Sequence, residues 1–156
     1  MSLFQIIVRT PEDKADLEGG WGRSDEDFFG AGACHVLAGA FLEAYTQSQF
    51  RSFMIRPAPG FRSGHVIVAS DTTVFDCRGW SPRAQFLSRY AESCRVLFPG
   101  WSYKLVAVHD PIGWDFCRAH HHRHPSQFFR DALPRAKAFL ASFAALPADT
   151  TGEVAQ

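Results

Sequence analysis

Apolar positions along the chain fall into two patterns, short runs of strand length and stripes of helical period. The first run, Leu3 to Arg9, has the β-branched content of a strand. Thr10-Pro11-Glu12-Asp13 then reads as a helix start, with a capping threonine, a first-turn proline and acids near the positive end of the dipole. Gly19-Gly20 ends that helix, and the polar stretch from Trp21 to Asp27 predicts a surface loop pinned by Phe28 and Phe29. From about Gly32 to about Gln47, the spacing of Cys34, Leu37, Ala38, Phe41 and Tyr45 puts them on one face of a central helix. Phe50 to Arg56 predicts a strand that Pro57-Ala58-Pro59-Gly60 stops. Gly64 to Ala69 is the plainest strand signal. Ser70 to Thr73 turns it, Val74-Phe75-Asp76-Cys77 returns as its hairpin partner, and Gly79-Trp80 closes the pair. Ser81-Pro82 opens a helix striped by Phe86, Leu87, Tyr90, Ala91 and Cys94. Tyr103 to Val108 is one more strand, followed by an irregular stretch through Trp114 and a run of histidines. Ser126 to Leu146 has helical period, with Pro134 expected to kink or split it.

These elements describe one α+β domain over residues 1–146, a buried central helix on an antiparallel sheet with peripheral helices, and a small polar tail over 147–156. With 156 residues, 46% of them hydrophobic, the chain has material for a packed core. Its 16 basic and 16 acidic residues leave no net field to draw a nucleic acid or an anionic membrane surface. No apolar run has membrane-spanning length, and the first residues lack the pattern of a signal peptide. Cys34, Cys77, Cys94 and Cys117 form no C-x-x-C pair, which predicts free thiols in a reducing cytoplasm. The expectation is a cytoplasmic protein without nucleic-acid or membrane partner and without cofactor. The sequence does not set its oligomeric state.

The candidate chemistry centres on Gly30-Ala31-Gly32-Ala33-Cys34. Glycines ahead of an apolar helix permit a tight entry and close approach of a ligand to the backbone. A cysteine at the start of that helix sits where unpaired N–H groups and the dipole favour a thiolate. It is a nucleophile or a small core residue. A thiol nucleophile needs a base, and the base needs an acceptor that fixes its tautomer. His65, at the start of one strand, and Asp76, on the next, supply those roles in chain order. Asp76 within an apolar strand requires a partner, and Arg78 and Arg83 compete with His65 for it. His35 follows Cys34 directly. Adjacent helical residues diverge by about 100°, so packing or substrate contact suits His35 better than service as the base. Trp80 is a second candidate substrate contact.

Gly-Ala-Cys-His-Val-Leu-Ala, Gly-His-Val-Ile-Val and Val-Phe-Asp-Cys-Arg-Gly resemble the papain-like cysteine hydrolase superfamily. The likeness is to its small branches with Cys–His–Asp order, such as NlpC-type peptidases, transglutaminase-like proteins and arylamine N-acetyltransferases. It spans roughly residues 30–80. It implies a papain-like fold, with Cys34 as nucleophile, His65 as base and Asp76 as orienter, acting on a peptide or a small amide or acyl substrate. Arg23 to Phe29 holds no glutamine like the one that donates to the oxyanion in papain, so backbone N–H groups near Cys34, or a side chain from a distant segment, would take that part.

Two other classes stay open. One is a papain-like binding module without catalysis. The other is a metal-binding protein using His120-His121-His122-Arg123-His124. Cys117-x-x-His120 is only half a metal site, and a structural metal needs ligands fixed by separate elements, so no metal is expected. Chelator-treated protein is therefore expected to keep its melting temperature. A large loss that zinc restores would establish a structural metal centre instead.

Overall fold

A computed structural model describes residues 2–144. It is an α+β fold in which a five-stranded antiparallel sheet, ordered β4-β3-β2-β1-β5, is covered on both faces. The strands are β1 (Arg51–Pro57), β2 (His65–Ala69), β3 (Thr73–Asp76), β4 (Gly79–Pro82) and β5 (Tyr103–Val108). The helices are α1 (Pro11–Ala15), α2 (Leu17–Trp21), α3 (Asp25–Gly30), α4 (Cys34–Ala44), α5 (Arg83–Leu97), α6 (Trp114–Ala119) and α7 (Ala132–Ala141), with a 3-10 turn at Pro125–Gln127.

Strand alternation explains the two cores. On one face Met54, Val66, Val68 and Phe75 meet α4, α3 and α7, through Leu37, Phe41, Phe29, Ala136 and Leu140. On the other, Ile55, Ile67, Ala69 and Val74 meet α5, through Phe86, Tyr90, Ala91 and Cys94. All five residues of β2 are buried, which is why that strand reads as a continuous apolar run. Among the described residues no helix is long and apolar enough to cross a membrane.

The hairpin that carries His65 and Asp76 has the register that its turn length dictates. Ser70 N–H bonds to Thr73 O at 2.9 Å, and the ladder pairs Ala69 with Val74 and Val68 with Phe75. Ser70 Oγ also accepts from Thr73 N–H at 3.1 Å, bracing the turn. One step further along the ladder Asp76 comes opposite Ile67, on the face that β2 shares with His65.

Several elements differ from the sequence pattern, each for a local reason. Leu3 to Arg9 forms no strand. Phe4 instead gives its N–H to Ser93 Oγ and lays its ring against Phe86 and Tyr90, so its apolar residues cap the α5 side. The acidic stretch expected to be a loop becomes α3, because Ser24 caps the Asp27 N–H. Gly79-Trp80 begins β4 rather than closing the sheet. Gly79 has φ +93°, which a two-residue turn over Cys77-Arg78 requires, and Trp80 then pairs with Phe75. The helix expected at Ser81-Pro82 starts at Arg83, and Pro82 ends an edge strand where its missing N–H does no harm. Trp114 starts the short helix α6 inside the stretch expected to be irregular. The last helix is shorter than its pattern. Asp131 caps α7 and Pro134 falls in its first turn, where the lost N–H has no intrahelical acceptor. Residues 145–146 of that predicted helix and the predicted tail lie outside the described residues.

Phe41 is fully buried among Tyr45, Phe50, Phe75 and Trp80 and ties α4 to the sheet. Phe41→Ala is expected to lower unfolding stability by about 3–5 kcal/mol, measured by urea denaturation.

Candidate active site

The candidate residues meet at one end of the sheet, where α4 and β2 begin and β3 ends. Gly32 makes the last bend before α4 at φ +112°, a conformation that favours glycine. A Cβ there would also collide with the Arg9 guanidinium. Ala33 starts the helix without a side-chain cap. The N–H groups of Val36 and Leu37 bond to Ala33 O, which leaves those of Cys34 and His35 without an intrahelical acceptor. The positive end of the α4 dipole is thus free beside Cys34. The Val66 N–H donates to Cys34 Sγ at 3.3 Å, a bond that also favours the thiolate.

His65 is 2% exposed and stacks on Tyr90, ring centroids 5.5 Å apart and nearly parallel. Its Nε2–H donates to Asp76 Oδ2 at 2.9 Å. Because a carboxylate only accepts, this bond fixes the proton on Nε2 and leaves Nδ1 as the second functional nitrogen. Asp76 is 3% exposed and fully engaged. Oδ2 also accepts from Arg78 Nη1 at 2.6 Å, and Oδ1 accepts the Arg78 N–H at 2.9 Å across the turn. His65 and Arg78 therefore share this acid. Arg83 does not join them, since its guanidinium donates to Ser70 O at 2.9 Å.

His35 is buried, and its Nε2–H donates to Arg123 O at 2.6 Å. The ring stacks on His122 at 4.7 Å between centroids. His35 Nδ1 and His65 Nδ1 are buried and make no hydrogen bond of standard geometry among the described residues. The group on which both rings act is the Cys34 sulfur. Burial pushes the thiol pKa up, but interaction with His35 and then His65 outweighs it, and the pKa falls well below its ordinary value. Burial likewise pushes His65 down, while Asp76 and then Cys34 raise it to about 9. For His35, burial again lowers, and contacts with Cys117 and Cys34 raise the pKa to about 9. Burial raises the Asp76 pKa, but His65 and Arg78 bring it below the usual carboxylate range. The two rings differ at their far nitrogens: that of His65 faces a carboxylate, that of His35 a backbone carbonyl. The other shifted thiols differ in kind: burial pushes Cys77 up strongly, and Cys94 to about 11.

A cleft of about 780 Å³ lies beside this cluster. It is bordered by Gly30–Gly32, Ser63–Gly64 and Cys77–Arg78, segments that flank all three candidate residues. The N-terminal segment Gln5 to Arg9 forms one wall. Cys34 itself is 7% exposed.

Cys34, His65 and Asp76 are thus brought together. His35 is brought closer than helical divergence predicts. Side chains of a first turn lean toward the helix N-terminus, so the His35 ring and the Cys34 sulfur gather at the same end. Being wholly buried, His35 offers no surface to a substrate. Trp80, the other expected substrate contact, is not brought to the thiol. It packs on Phe75, Phe50 and Phe41 and donates its indole N–H to Ala144 O. The histidine run does not converge on one point. His122 stacks on His35, His124 on Trp114, and His120 lies against Phe116. Among the described residues no group of three metal-ligating side chains forms. Arg9 and the Arg123 carbonyl are site elements that sequence spacing did not single out; both come from distant segments and belong to no motif. Comparison with protein-family models, curated proteins and solved structures finds no match.

The shifted pKa values make a stability prediction whose sign follows from proton counts. Unfolded His and Cys titrate near about 6.5 and about 8.5. Between those values the folded pair has only moved a proton from sulfur to imidazole, so both states bind the same number and stability from the pair is flat. Below about 6.5 the folded state binds fewer protons, so stability falls as the pH drops through the folded thiol pKa. Above about 8.5 the folded state keeps a proton the unfolded state has lost, so stability falls as pH rises through about 9. His35, also raised, tilts the plateau downward above about 6.5. The stability advantage of wild type over the double variant Cys34→Ala, His65→Gln is therefore expected to peak near about pH 6.5 and shrink on both sides. Denaturant titration across pH measures it, and a pH-independent difference would mean that the pair is uncharged.

Proposed function

We propose that this chain is a papain-like cysteine hydrolase or acyltransferase that acts on an amide or related acyl bond. The observation that carries the reading is the arrangement of His65, with one nitrogen on Asp76 and the other ring edge acting on a cysteine at a helix start. Cys34 thiolate attacks the carbonyl carbon and forms a C–S bond. The oxyanion develops near the free Cys34 and His35 N–H groups, which act as its donors. As the intermediate collapses, the bond to the leaving group breaks and His65 gives that group its proton. Water then loses a proton to His65 and attacks the thioester. The C–S bond breaks, and acid product and thiolate are released. Another acceptor in place of water makes the same step an acyl transfer. Asp76 holds His65 in the tautomer and orientation that both steps need. The helix-on-antiparallel-sheet layout and the chain order Cys, His, Asp are in keeping with the papain-like resemblance.

A second reading, a binding module without catalysis, draws on the 7% exposure of Cys34. One experiment separates the two. Incubation with p-nitrophenyl acetate is expected to add one acetyl group to the Cys34 peptide, detected by mass mapping. The adduct should be absent in Cys34→Ala and slowed by about 10²–10⁴-fold in His65→Ala. A folded protein that never acetylates at Cys34 would leave the binding module as the account of this fold.

A further inference from the structure

The chain has zero net charge, but its cleft does not share that balance. Arg9, Lys14, Arg62, Arg78, Arg118 and Arg123 line it against Glu26 and Asp27. Most of these arginines are committed elsewhere. Arg78 holds Asp76, Arg118 pairs with Asp115, Arg123 donates to Lys14 O and Arg62 to Arg9 O.

The Arg9 guanidinium differs. It makes no side-chain hydrogen bond or ion pair among the described residues and is half-buried. It lies against Gly32, two residues before Cys34, so closely that no Cβ fits between them. The nearby acid Asp13 is exposed, and its carboxylate is occupied by the Thr10 N–H. Arg23, the adjoining cation, spends its donors on Ala31 O and Asp27 O. Burial, then the charges of Arg23 and Arg123, lower the Arg9 pKa and outweigh the opposing pull of Asp13 and Cys34, so an added anion would relieve a net repulsion.

We propose that Arg9 is a substrate-binding residue, and that the acyl substrate attacked by Cys34 carries a carboxylate beside the scissile bond. One free guanidinium presents one planar fork and one positive charge, which matches a single carboxylate; a phosphate dianion calls for more than one such partner. The inference rests on Cys34 as nucleophile and deepens that reading by naming the charge of the substrate.

Two alkylating reagents of similar size test it. Iodoacetate carries a carboxylate and iodoacetamide does not. Cys34 labelling by each is followed on the full folded chain, at matched ionic strength near neutral pH, and the rate ratio is compared with that of the urea-unfolded protein. The iodoacetate-to-iodoacetamide ratio is expected to be about tenfold or more higher in the folded state. The imidazolium groups favour iodoacetate as well, so the decisive arm is Arg9→Gln, expected to lower the ratio by about threefold or more. Lys104→Gln, which removes the same charge from an exposed position on β5, should leave it unchanged. A ratio indifferent to Arg9→Gln overturns the proposal while leaving Cys34 a nucleophile. Protection of Cys34 by inorganic phosphate but not by acetate overturns the choice of carboxylate. Labelling by neither reagent removes the nucleophile and the proposal with it.

Discussion

A carboxylate buried at 3% exposure is the constraint on which the rest of the site depends. Asp76 can remain ionised there only if its oxygens are paired, and unpaired it would be strongly destabilising. Two cationic groups answer that demand. Arg78 reaches back across a two-residue turn, and His65 crosses from the neighbouring strand. The turn sets the position of Arg78, the hairpin register sets that of His65, and Gly79 at positive φ permits the turn. The same pairing that makes Asp76 tolerable also holds the imidazole rigid. Stacking on Tyr90, whose hydroxyl donates to Ser63 O, fixes the other face of the ring.

The charge then propagates from Asp76 to His65 to Cys34. A carboxylate raises the imidazole, and the imidazole lowers the thiol. Burial opposes every member of this chain, because each ionised group would rather be in water. The cluster stays ionised because its members are close and alternate in sign. His35 adds a second imidazole acting on the sulfur, tied by its far nitrogen to a backbone carbonyl and covered by His122, which burial holds near a pKa of about 4. Cys34 is therefore acted on by two rings raised alike to about 9, of which only His65 has a carboxylate behind it.

Much of this was legible in the sequence where chemistry is local. The hairpin from Gly64 to Cys77 could be read from β-branched runs around a short polar turn, and its parity alone places Asp76 and His65 on one face. The central helix and its leading cysteine followed from apolar spacing after glycines. What stayed illegible depends on tertiary contacts. Leu3 to Arg9 has strand composition, yet it is held by Ser93 and the α5 aromatic rings rather than by a sheet edge. Trp80 was expected to contact substrate, but it lies opposite Phe75 across the ladder and packs, half-buried, against the core. His35 packs against His122 and the Arg123 carbonyl, one of the two roles its place beside Cys34 suggested. Its action on the sulfur was not legible, since a helical wheel describes Cβ directions and not where a ring ends in a first turn. The cationic lining of the cleft is gathered from residues 9 to 123, a convergence that no local window contains.

The central claim is that Cys34 and His65 form a thiolate–imidazolium pair held by Asp76. Ultraviolet thiolate absorbance, titrated with pH and corrected by the Cys34→Ser variant, reads the state of that sulfur directly. The account predicts a Cys34 titration well below the ordinary thiol value of about 8.5, moving upward in Asp76→Asn. A Cys34 titration at or above that ordinary value, unmoved by Asp76→Asn, would contradict it.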